Sequence, residues 1–262
     1  SPRHPVVRPH SAAVFDPRHR ESTSLALLAV LLMAIGWAWF VLLLVVIGHG
    51  EPLALDLAVH QAMLALRNPL ADHPMAALAS LGDWPVLAPA CLAVLAWFAW
   101  RRLWMAAAHW LAALAFGLAL TWLLGNTMDV VRPPGASSGF GFPSIAVTMA
   151  TVAFGFFAVL IARELPGRDR VWPYLVSGAV VTVIGFARLY LGAHWLSDIT
   201  GGVLLGVIWL LVLGIAYRRH SARSFWMRPL AWAFYGSFVL VALWHAPRSA
   251  EATLAQFEPP AP

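Results

Sequence analysis

Long apolar runs separated by short polar or charged turns dominate the chain. Residues 25–47 form a continuous apolar run, long enough to cross a bilayer as a helix. His49-Gly50-Glu51-Pro52 ends it. Residues 53–66 place Asp56, His60 and Gln61 between apolar positions. That spacing is amphipathic and too short to span, so it predicts a helix lying in the membrane interface. After the break at Asn68-Pro69, spans are predicted over 84–100, 103–124, 143–162, 172–191 and 194–217, with a shorter seventh over 229–243. The prediction is an all-α polytopic membrane helix bundle, a six-span core with a seventh C-terminal span. Three regions follow: 1–24, a polar cytoplasmic tail or tag remnant; 25–217, the membrane domain; and 218–262, the extra span with a polar, Pro-rich tail.

Composition agrees. The 262 residues are 61% hydrophobic and 11% charged, too apolar for a soluble domain. The net charge is +5 and every basic residue is arginine. These arginines gather at span ends, so the excess is topological, and no nucleic-acid partner is expected. Arginine bias places the N-terminus in the cytoplasm; the ends of spans three and five and the starts of four and six then face outward. Cys91 is the one cysteine, so no disulfide forms within the chain. The start at Ser1 reads as a cut boundary, and residues 1–24 lack the short apolar core of a signal peptide. Tryptophans at span ends (Trp100, Trp104, Trp172, Trp195, Trp226, Trp244) read as interfacial belts, and His109 as a hydrogen-bonded structural residue.

Three stretches carry candidate chemistry, all on the predicted outer side. Arg188, His194 and Asp198 are ionisable groups in hydrocarbon surroundings, where such groups are costly. A helix beginning near His194 puts Asp198 one turn along the same face. Its carboxylate can then hold one ring nitrogen as N–H and leave the other lone pair free, as a nucleophilic histidine requires. The guanidinium fork of Arg188 suits phosphate. A structural ion pair at a helix end is the competing reading. Pro143-Ser144 fits a helix start with proline at the first helical position, and a helix N-terminus is an anion site. Arg132, six residues after Asn126, stands beside Pro133 and Pro134; alone it reads equally as an arginine reaching for headgroups. No second carboxylate or Cys/His cluster is expected in range to bind a metal. Together the three stretches point to metal-independent phosphoryl transfer through histidine, with no cofactor.

In these residues the chain resembles the type-2 phosphatidic acid phosphatases, integral membrane lipid phosphatases. Their first motif is Lys, six residues, Arg-Pro; the second is Pro-Ser-Gly-His; the third is Ser-Arg, five residues, His, three residues, Asp. Here Arg132-Pro133, Pro143-Ser144 and Arg188…His194…Asp198 match in order and spacing. The resemblance, over about 25–217, implies a phosphohistidine at His194 oriented by Asp198. It implies phosphate held by Arg132, Arg188 and Ser144, and a lipid tail entering sideways from the bilayer.

Three departures matter. Gly125 stands in place of the lysine, with Asn126 adjacent as a neutral donor. Ala187 replaces the serine. Ala146 replaces the histidine that protonates the leaving group, with Ile145 in place of glycine. Loss of a general acid costs about 10²–10⁴-fold in rate. Ala146 is then either an engineered replacement, which the Ser1 start favours, or the mark of a naturally weakened relative. The expected function is hydrolysis of a membrane lipid phosphate or diphosphate, undecaprenyl pyrophosphate-like or a phosphoglycerolipid phosphate. The expected location is a bacterial-type inner membrane, with the site facing outward. The alternatives are a silent lipid-phosphate binding or transport protein and a lipid phosphotransferase. The partners expected are the lipid phosphate and the bilayer; the oligomeric state stays open.

Overall fold

The computed structural model describes residues 17–128, 130–134, 136, 141–218 and 226–257. Its helices are α1 (Pro17–His49), α2 (Ala54–Leu66), α3 (Pro69–Ala79), α4 (Trp84–Trp100), α5 (Trp104–Thr127), α6 (Ile145–Ala162), α7 (Trp172–Tyr190), α8 (Leu196–Arg218), α9 (Met227–Ala231) and α10 (Ser237–Gln256). Among the described residues, seven helical stretches are long and apolar enough to cross a membrane. The chain is a multi-pass, all-helical membrane protein, as the apolar runs predict.

The helix α6 is the hub. It is apolar all round and almost wholly buried, and it packs against α5, α7 and α8. Phe154, Phe156 and Phe157 of α6 meet Trp110 and Phe234 in an aromatic core. The surrounding helices turn large side chains such as Leu27, Trp37, Leu92 and Leu240 outward. Exposed apolar surface on this scale suits hydrocarbon and not water.

Several boundaries differ from the expectation. Of the predicted tail, residues 1–16 lie outside the described residues, while α1 already begins at Pro17. Residues 69–79 form an additional helix, α3, started by Pro69 and capped by the Asn68 side chain, which accepts from the Ala71 N–H at 3.0 Å. The final span is longer than 229–243. A π-helical turn at Trp232–Gly236 joins α9 to α10, and α10 continues through Pro247 to Gln256. The polar composition of that last stretch hid it. Ala246 and Ala250 nevertheless supply a buried stripe, and Ala250 packs with Ala76, Ala79, Ala187, Tyr190 and Leu191 of α3 and α7. Nor does α2 merely lie in the interface: its Asp56 is buried against the start of α8.

Candidate functional site

The turn between α7 and α8 carries the central residues. Gly192 has φ +71°, a left-handed conformation that glycine adopts without steric cost. The chain reverses there, and Ala193 N–H closes the turn on the Arg188 carbonyl at 3.0 Å. His194 therefore precedes α8, which begins at Leu196, instead of starting the helix as the spacing suggested. The pairing with Asp198 still forms: Nδ1 of His194 lies 3.3 Å from Oδ2 of Asp198. The same oxygen accepts the Trp195 N–H at 2.9 Å. Asp198 is fully buried, so its orientation is fixed from both sides. A neutral imidazole donating Nδ1–H to this carboxylate keeps its lone pair on Nε2.

The start of α6 is brought to the same place through the backbone. Ser144 N–H donates to the Asp198 carbonyl at 3.1 Å. Ser144 is the residue before the helix, and Pro143 lies one position further out, not at the first helical position. The Ser144 hydroxyl is buried without a hydrogen-bond partner, as are Nε of Arg188 and Oδ1 of Asp198. A buried donor without a partner is costly, which makes the first two natural partners for an anion.

His194, Arg188 and Ala146 line one cavity of about 440 Å³, together with Asp83, Trp84, Leu87, Met149 and Phe257. Asp83 was not anticipated. Its Oδ1 lies 2.5 Å from Nη2 of Arg188, an ion pair between residues 105 apart in sequence. Asp83 thus adds a carboxylate to the cavity, paired with an arginine. Asp83 stands in a turn between α3 and α4, and nothing in its local sequence pairs it with Arg188.

The remaining expected residues lie elsewhere. Arg132 lines a separate cavity of about 370 Å³ with Leu57, His60, Gln61, Gly192 and Trp195. Asn126 is exposed and donates to the Trp122 carbonyl at 2.8 Å within its own helix. Gly125, Asn126 and Arg132 share a third, shallow pocket. The structure thus joins Ser144, Arg188, His194, Asp198 and Ala146, and leaves Arg132 and Asn126 outside that group. Phe257 lines both cavities, and Trp195 lines the one with Arg132. Trp195 is only 3% exposed, unlike Trp100 at 73%, and so is no belt residue. Its indole N–H donates to the Val131 carbonyl at 2.7 Å, and the His60 ring meets it edge-on at 5.2 Å. Behind it, the Asp56 carboxylate accepts both the Ser197 N–H and hydroxyl at 2.8 Å and caps the start of α8. Ala187, where the third motif has serine, is fully buried in a cluster with Ala76, Ala79 and Ala250.

Known proteins resemble this chain in sequence and fold. Residues 127–223 match the model of the PAP2 superfamily. Phosphatidylglycerophosphatase B of Bacillus subtilis (strain 168) is 28% identical over 179 residues, covering 65% of this chain and 87% of that protein. The undecaprenyl-diphosphatase-like protein YbjG of Escherichia coli (strain K12) is 30% identical over 112 residues, 40% of this chain and 54% of that protein. The crystal structure of the first transmembrane PAP2 type phosphatidylglycerolphosphate phosphatase from Bacillus subtilis shares the fold. Its TM-score is 0.62 at 24% identity, over 71% of this chain and 98% of that one. The chain is a multi-pass membrane protein that is similar over residues 127–223 to the PAP2 superfamily.

Proposed function

We propose that this protein hydrolyses a membrane lipid phosphate or diphosphate through a phosphohistidine at His194. The observation that carries the reading is the Nδ1–Asp198 contact of 3.3 Å in a cavity that also holds the Arg188 guanidinium. Nε2 of His194 attacks phosphorus, and Asp198 stabilises the positive charge that the ring gains. Arg188 and the Ser144 hydroxyl, at the positive end of α6, bind the phosphoryl oxygens as charge spreads over them. Water then attacks the phosphohistidine and releases phosphate. The cavity wall suits an amphiphile: Trp84, Leu87 and Met149 offer apolar contact beside the charged pair. The relatives' names point to a phosphatidylglycerophosphate or a prenyl diphosphate as the substrate class. Arginine bias supports a site on the outer face of an inner membrane with a cytoplasmic N-terminus.

Ala146 in the cavity wall favours a second reading, a lipid-phosphate binder that does not turn over. Phosphate release from a panel of prenyl and glycerolipid phosphates in detergent decides between them. Release that His194→Ala abolishes supports hydrolysis. Tight binding without release, unchanged by Ala146→His, supports the binder. A labelled phosphoryl group reappearing on a second lipid would make the protein a phosphotransferase.

A further inference from the structure

The proposed chemistry lacks one component. An alkoxide leaving from phosphorus needs a proton, and Ala146 has none to give. We infer that Asp83 supplies it, from the juxtaposition of its carboxyl with Arg188, His194 and the Ala146 methyl in one cavity. The inference rests on the phosphohistidine reading above and names the acid that reading leaves unassigned.

Placement is the first argument. The turn Ser80–Gly82 presses directly on the start of α6. A Cβ built on Gly82 would lie 3.1 Å from the Ala146 Cβ and 2.9 Å from Ile184 Cγ2, so only glycine lets the turn come this close. Asp83 is the next residue, so its carboxyl enters the cavity beside the position where the relatives' motif carries histidine. It is also the one acid among the residues lining the cavity; the other ionisable groups there are Arg188 and His194.

Charge is the second argument. Without substrate, the Asp83 carboxylate occupies one arm of the Arg188 guanidinium. A phosphate entering the cavity competes for that arm and sets its own negative charge beside Asp83. Two anions brought together favour protonation of one of them. Asp83 is half-exposed and can take that proton from solvent. The steps then balance. As the bond from Nε2 of His194 to phosphorus forms, the bond to the ester oxygen breaks, and that oxygen takes the Asp83 proton and leaves as an alcohol. In the second step, the Asp83 carboxylate takes a proton from water as the water oxygen attacks phosphorus. The N–P bond breaks, phosphate leaves and His194 is regenerated.

The test uses the full chain in detergent, with a dialkylglycerol phosphate and p-nitrophenyl phosphate as substrates. The alkoxide of the first needs protonation; the phenolate of the second leaves without it. Asp83→Asn should cost about 10²-fold in kcat on the glycerolipid and far less on p-nitrophenyl phosphate. In an Ala146→His background, where the histidine supplies the proton, Asp83→Asn should cost no more than about twofold on either. A merely positioning Asp83, acting through Arg188, gives equal losses on both substrates and in both backgrounds, and that result overturns the inference. So does inactivity of Asp83→Asn throughout, or no loss at all. His194→Ala keeps the two claims apart. If its glycerolipid activity equals that of the parent, the phosphohistidine reading fails first and takes Asp83 with it. If His194→Ala is inactive and Asp83→Asn keeps the parent's activity on both substrates, only Asp83 is excluded.

Discussion

The backbone N–H of Ser144 donates to the Asp198 carbonyl at 3.1 Å, so the starts of α6 and α8 are joined directly. One hydrogen bond thereby ties the start of α6 to the residue whose carboxylate pairs with His194. The contact exists because the two helices pack almost backbone to backbone just below it.

Gly202 is one point of that close packing beside the site. A Cβ there would lie 3.0 Å from the Ser144 carbonyl oxygen and 3.0 Å from Thr148 Oγ1. Gly202→Ala should force α8 away from α6, costing about 1–3 kcal/mol. A lower thermal midpoint and a lower rate of phosphate release should appear together. Gly178→Ala, on a face of α7 with nothing within 4 Å, should leave both unchanged or slightly raise the midpoint.

The two candidate clamp arginines should behave differently. Arg188 shares a cavity with His194, while Arg132 lines another cavity with Trp195. Loss of a charge-assisted phosphate contact in the transition state costs about 10²-fold or more. Arg188→Ala should show that loss in kcat/KM, and Arg132→Ala a loss of only a few-fold. Equal losses in a side-by-side assay would place both arginines on the bound phosphate.

Asp56 should matter for stability before chemistry. It is buried and holds two donors of Ser197 at the N-terminus of α8. Asp56→Ala strands both donors, at about 1–3 kcal/mol for a buried polar group left unpaired. The expected result is a lower unfolding midpoint in detergent. An unchanged midpoint would show that the cap is dispensable.

His60 predicts a pH dependence of stability. Burial holds its imidazole below the ordinary value of 6.5. Nδ1 has no partner and the ring lies against Trp195, with Arg132 in the same cavity. The unfolded chain takes up a proton near pH 6.5, and the folded one only at lower pH. Stability from this residue is therefore complete above pH 6.5 and falls as the pH drops through and below it. His60→Gln should flatten the midpoint-versus-pH curve over that range. A curve of unchanged slope would remove His60 as the cause.

Much of this fold is legible in the sequence because apolar length is a direct physical requirement of the bilayer. The pairing of His194 with Asp198 is legible for the same kind of reason, since four-residue spacing around a helix start leaves few alternatives. Asp83 and Asp56 were not. Each acts across more than 100 residues, on Arg188 and Ser197 respectively, and no local periodicity encodes such a partner. Trp195 misleads for a related reason: its position at a span end is that of a belt residue, and only tertiary packing turns it inward. The helical character of residues 244–256 was hidden by Pro247, Arg248 and Glu251, while the small buried alanines that dock it carry little hydropathy signal.

Arg67 pairs with Asp72 at 3.0 Å, and its Nη1 reaches the carbonyls of both Leu191 and Phe257. One side chain thus couples the end of α10 to the turn that bears His194. A displacement of Phe257 would be transmitted through Arg67 to Leu191, three residues before His194.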